Sequence, residues 1–130
     1  MNVIDFDFNR DFKEVKEVII RDEFDEEVVV KVCVTNHAYD RMYNTYGRQC
    51  EWEDVEDLIL EKGCKLFDVK NREEFALVNA KRTLALICRL YLYKEGEVVL
   101  VLKTVIRKVT MNNGVEVERK VRLTRNTKEL

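Results

Sequence analysis

A chain of 130 residues and 15.5 kDa has the size of one domain and can bury a core without staples. Hydrophobic residues make up 46% and charged ones 37%, a balance that excludes both a disordered chain and a membrane-embedded one. No window reaches the roughly 18 apolar residues that span a bilayer, and the acidic first residues lack the basic and apolar regions of a signal peptide, so the expected compartment is the cytoplasm.

The formal net charge of −2 hides a division. Residues 1 to 78 carry 11 Lys and Arg against 20 Asp and Glu, a balance of −9, and residues 79 to 130 carry 12 against 5, a balance of +7. Such polarity either gives a basic face for nucleic acid or an acidic partner, or lets the two halves pair across solvated faces. Cys33, Cys50, Cys64 and Cys88 are separated by 17, 14 and 24 residues with no C-x-x-C pair, and there is one histidine. That set gives a structural zinc site little to build on, and neither metal nor cofactor is expected.

In chain order, residues 1 to 8 alternate apolar and acidic side chains, as a short strand or an ordered arm would. Two periods compete over residues 9 to 20. Phe8, Phe12, Val15 and Ile19 fit a helix face opened by Asn9, whereas Val15, Val18, Ile19 and Ile20 are strand formers. The helical spacing is the reading taken. Residues 21 to 27 form a charged connector, and residues 28 to 34 are β-branched enough for a strand.

Thr35 or Asn36 can cap a helix running to about Tyr46, with Gly47 placed for a left-handed end. It carries the only histidine, His37, and Arg41 four residues later on the same face. A second helix spans residues 51 to 62, with acids in its first turn, Trp52, Val55, Leu58 and Ile59 on one face, and Gly63 after its end. Tyr39, Tyr43, Tyr46 and Trp52 are expected to complete the core of this helix pair or a contact surface.

Beyond Gly63 the period becomes extended. Residues 64 to 69, 74 to 79, 83 to 93 and 98 to 109 read as strands, with residues 94 to 97 as a hairpin link. Residues 111 to 114 form a further turn, residues 115 to 123 a further strand, and residues 125 to 130 a frayed tail. The expected fold is α+β: an N-terminal segment, a helix pair, then an antiparallel sheet of about four strands, in a single domain. Alternation places Arg89, Tyr91 and Tyr93 on one face of their strand, and Val99, Val101, Lys103, Val105 and Arg107 together on one face of the partner.

The order His37-Ala38-Tyr39-Asp40-Arg41-Met42, then Trp52 to Gly63, then Leu100 to Lys108 resembles a small bacterial and phage domain family of unknown function, placed with the RelE-like and barnase-like RNase superfamily. The likeness covers residues 33 to 109, leaving 1 to 32 and 110 to 130 as extensions. Where that family often has a basic turn of the form E-R-G, this chain has Thr45-Tyr46-Gly47, with Arg48 one position later. The resemblance implies a metal-independent ribonuclease, or a relative without activity that binds RNA. It casts His37 as general base or acid, Arg41 as phosphate clamp, Thr104 beside them, and Arg89, Tyr91, Lys103 and Arg107 as RNA contacts.

A second reading takes the acidic half as the working surface of a non-catalytic phage or mobile-element protein that inhibits a host protein. A protein partner, either an antidote or a host target, belongs to these readings. A third reading is a homodimer joined through an exposed strand at residues 115 to 123.

Overall fold

The computed structural model describes residues 12–92 and 97–130. The strand or arm expected at residues 1 to 8 and the centre of the hairpin link at 94 to 97 lie outside the described residues. Six strands and two helices follow in the order β1 (Phe12–Arg21), β2 (Glu27–Thr35), α1 (Asn36–Tyr43), α2 (Trp52–Lys62), β3 (Glu74–Val78), β4 (Leu84–Leu92), β5 (Val98–Asn112) and β6 (Val115–Arg119). The class is α+β. The sheet nevertheless has six strands rather than four, in the order β1-β2-β5-β4-β3 with β6 beside β5.

That sheet is mixed, not antiparallel, because the N-terminal region contributes two strands and sets β2 parallel to β5. Over its described residues, 12 to 20, the segment expected as a helix over residues 9 to 20 is instead part of β1. Its β-branched residues face those of β2, with Val18 opposite Val30 and Ile20 opposite Val28. Val18 and Ile20 enter the core, while Val15 and Ile19, which helical spacing would have buried together, are exposed. Cross-strand pairing here overrides a weak helical period. Between the strands Asp22 Oδ1 accepts from the amides of Phe24 and Glu26, both at 2.9 Å, and closes the hairpin loop.

Residues 64 to 69, expected as a strand, instead lie mostly in a short 3-10 helix at Gly63–Asp68. Leu66 and Val69 both reach the core, three residues apart, which a turn permits and a two-residue alternation would forbid. Gly63 is buried against β1. A Cβ there would stand 3.0 Å from Ile20 Cγ2, so a side chain at this position would have to push Ile20 aside.

Both helices cover one face of the sheet. Ala38 and Met42 of α1 and Val55, Leu58 and Ile59 of α2 pack with Val30, Val32, Val34, Phe75, Leu77, Leu86, Leu90, Leu100 and Leu102 in the main core. Cys50 and Cys88 are buried in the same core, Cys33 is buried on the opposite face and Cys64 is exposed. Burial pushes the thiols of Cys33 and Cys50 up to about 12 and raises that of Cys88, which leaves these three unreactive.

The tail is not frayed. Val121 packs on Ala76, Val78 and Ala85, the Ala76 amide donates to Lys128 O at 2.8 Å, and the Leu130 amide donates to Ala76 O at 2.9 Å. Arg82 clasps Glu129 through two hydrogen bonds of 3.0 and 2.9 Å. The last residues thus cover the β3 edge, which would otherwise present unpaired backbone groups. The strand expected at residues 115 to 123 stops at Arg119, and Val121 folds back onto this chain's own sheet.

Candidate nucleic-acid interface

The residues expected to form one site lie in three places. His37 and Arg41 stand on α1, whose start is set by Thr35: its hydroxyl accepts from the Ala38 amide at 3.0 Å and donates to Lys103 O at 3.2 Å. His37 is exposed and, among the described residues, has no side-chain hydrogen bond or ion pair. Arg41 is half-buried, and its Nε is shut off from solvent without a partner.

Arg89, Tyr91, Lys103 and Thr104 occupy the sheet face away from the helices. Lys103 is the extra residue of a β-bulge: Cys88 faces Leu102 and Ile87 faces Thr104, so the alternation of β5 shifts by one residue there. Thr104 and Ile106 thereby join the outer face, while Val105 is buried in the main core with Leu102. The run Val99, Val101, Lys103, Val105, Arg107 therefore does not share a face, because regular alternation fails at Lys103. On the outer face Glu74 binds Lys103 and lies 3.8 Å from Arg89 Nη2. One carboxylate thus offsets two of the expected phosphate contacts. Arg89 Nε and Thr104 Oγ1 are solvent-excluded and unpaired, and Tyr91 packs with Phe12 against Cys33, Val99 and Val101.

Arg107 belongs to a third place, at the end of β5. An open groove of about 1040 Å³ is lined there by Arg48, Arg107, Lys108, Arg119, Lys120 and Arg122, together with Ile106, Thr110, Met111 and Val121. Among the described residues no carboxylate lines it. The hairpin builds it locally: Asn113 and Gly114, at φ 51° and 80°, form the tight turn that joins β5 to β6 and sets Lys108 opposite Arg119. Arg119 Nε donates to Thr110 Oγ1 at 2.8 Å. Arg107 binds Glu118 and donates to Gln49 O at 2.6 Å. Among the described residues the side chains of Arg48, Lys108, Lys120 and Arg122 have no hydrogen bond or ion pair.

Arg48 comes to the groove from the loop after α1. That helix ends at Tyr43, three residues before the expected end, and Gly47 does not cap it. Its positive φ of 81° serves a turn where Gly47 O accepts from the Val109 amide at 3.0 Å, and a Cβ would stand 3.2 Å from Val109 O. This contact brings Arg48 to the groove. His37 begins the same helix, whose eight residues span about 12 Å.

Part of the charge division is paired off within the fold. Lys31 pairs with Glu97, Lys128 with Glu73, and Lys103 with Glu74, so acidic and basic halves do bind each other. Five of the six groove cations nevertheless come from residues 79 to 130 and stay together. Arg48, Lys108, Arg119, Lys120 and Arg122 are absent from the contacts expected of the sequence. A signal for them exists: counting back from Asn113-Gly114 sets Arg107-Lys108 across from Arg119-Lys120.

Among the described residues no group of three or more His, Cys, Asp and Glu could hold a metal ion, and no helix is long and apolar enough to cross a membrane. Comparison with protein-family models, curated proteins and solved structures finds no match.

Proposed function

We propose that this chain binds RNA through its phosphate backbone at the β5–β6 groove, and that His37, with Arg41 beside it, serves metal-independent cleavage of the strand held there. The observation that carries the reading is the groove itself: among the described residues six cations line it with no carboxylate, and four of them are unpaired. Cations concentrated in a concavity release counterions from a polyanion and hold it. A neutral imidazole can take the ribose 2′ proton as that oxygen bonds to phosphorus, a guanidinium can offset the charge that develops there, and the bond to the 5′ oxygen then breaks as that oxygen takes a proton from water.

Binding is tested by anisotropy of a labelled RNA titrated at rising salt. Log K should fall linearly with log salt by about 0.7 per phosphate neutralised, and Lys108→Glu with Arg122→Glu should abolish binding at low salt. Cleavage is tested in EDTA, where cyclic phosphate ends should form and should vanish in His37→Ala. Absence of any binding at low salt would refute the whole reading, and binding without cleavage would refute its second half.

The acidic surface supports a second proposal, a non-catalytic inhibitor of a host protein. Glu53, Asp57 and Glu61 of α2 are exposed and, among the described residues, have no ion pair. Reversing Glu53 and Asp57 should then abolish the biological effect, while reversing the groove should leave it intact.

A further inference from the structure

We infer that Tyr46 is a base-stacking residue and that the RNA taken by this surface is single-stranded, an inference that rests on the groove reading. The aromatic residues of this region divide sharply. Tyr39, Tyr43 and Trp52 pack against the main core, whereas Tyr46 is 71% exposed and contributes nothing to it.

Tyr46 stands on a loop that folding has already fixed. Thr45 Oγ1 donates to Asp40 O at 3.1 Å, the Arg48 amide to Thr45 O at 3.2 Å, and the Gly47 amide to Gln49 Oε1 at 3.0 Å. Val109 and Arg107 fasten Gly47 and Gln49 to β5, and the Cys50 amide donates to Met42 O at 3.0 Å. A ring presented on such a loop loses little further freedom when a base meets it.

Its neighbours decide what it meets. Two residues on, Arg48 lines the groove, and the groove lining contains no aromatic of its own. Cations in the groove and an exposed aromatic two residues from one of them would supply the two parts of single-strand recognition: a backbone track and a face for a base. Within a duplex each base is stacked on both faces, and only the two end pairs leave a face free. Phe24 provides the contrast. It is 76% exposed, but its hairpin loop carries Asp22, Glu23, Asp25 and Glu26, which repel a polyanion.

The test compares a labelled single strand of ~12 nucleotides with the blunt duplex of the same sequence, a length within the site sizes known for single-strand binders. Four proteins are titrated by anisotropy: the unaltered chain, Tyr46→Ala, Tyr46→Phe, and the Lys108→Glu with Arg122→Glu pair. The unaltered chain should prefer the single strand. Tyr46→Ala should lose about tenfold or more on the single strand and nothing on the duplex, and Tyr46→Phe should stay within about twofold. Equal single-strand binding by Tyr46→Ala, with binding abolished in the groove pair, would overturn the stacking role and leave the groove reading standing. Duplex preference in the unaltered chain would likewise overturn this inference alone. Binding to neither probe would remove the groove reading and this inference together.

Discussion

β5 is one strand with two halves of different character. Residues 98 to 102 are bonded to β2 on one side and β4 on the other, and their side chains are buried on both faces of the sheet. Residues 104 to 112 no longer have β2 as a neighbour. The loop after α1 and β6 take over, and the strand's side chains become Arg107, Lys108, Thr110 and exposed Met111. Between the halves stands the bulge at Lys103, whose carbonyl is held by the capping hydroxyl of α1. A buried, doubly paired half can position a half that is open and charged, since the pairing rather than the outer side chains fixes the backbone.

Inserting one residue between Thr104 and Val105 should have the largest effect. Every later side chain of β5 would then change face, turning Val105 out of the core and Ile106 into it. Exposing a buried valine and reversing the faces of half a strand should cost more than about 4 kcal/mol, enough to abolish a cooperative melting transition. Deleting Lys103 removes only the extra residue and keeps Val105 in the core, so that variant should still melt cooperatively. An insertion variant that melts near the parent temperature would show that the downstream packing does not depend on which face Val105 takes.

Next comes Leu100→Ala in the sealed half, where a fully buried side chain should cost about 2–5 kcal/mol in denaturant unfolding. RNA affinity well below its melting temperature should not change. Reversing Lys108 and Arg122 in the open half should give the opposite pattern, with stability within about 0.5 kcal/mol of the parent, as for ordinary surface changes. Its binding to RNA at low salt should be lost, although the fold is intact. Thr35→Val removes both the cap and the bond to Lys103 O, and a drop of about 1 kcal/mol is expected in the same unfolding measurement.

The sealed half of β5 is readable in the sequence, and the open half only partly. Val98 to Leu102 announce a buried strand by continuous β-branched and aliphatic residues, and α2 announces itself by its acidic first turn and apolar stripe. The bulge has no such signal. Nothing in Leu102-Lys103-Thr104-Val105 marks the extra residue, which is fixed by pairing with β4 and by Thr35, 68 positions away. Every face assignment beyond it therefore inverts, and Arg107 leaves the surface that carries Arg89 and Lys103. The parallel partnership of β2 with β5 is equally non-local, and so is the use of the last residues to cover β3. Tyr46 escapes the sequence for a different reason: helical spacing groups it with Tyr39 and Tyr43, but the helix ends at Tyr43 and leaves it outside.

The smallest expected effect concerns acid, and it separates β5 from the edge that the tail covers. Hydrogen bonds from Arg82, and its charge, hold the Glu129 carboxyl below its ordinary value. The Lys70 amide and the Lys128 ammonium do the same for Glu73, so both tail anchors depend on ionised carboxylates. A carboxyl lowered in the folded state contributes stability that is present above its ordinary pKa and is lost as pH falls through the lowered one. Protection of the Ala76 amide, which donates to Lys128 O, should therefore fall on acidification once intrinsic exchange is corrected for. Protection of the amides of residues 99 to 101 should fall far less over the same range, because that half of β5 is held by backbone pairing to β2 and β4 on both sides, with the Glu97–Lys31 ion pair only at its start. Glu129→Gln should reproduce part of the Ala76 effect at neutral pH. Equal loss of protection at Ala76 and at residues 99 to 101 would mean that the tail and the sealed half of β5 unfold as one unit.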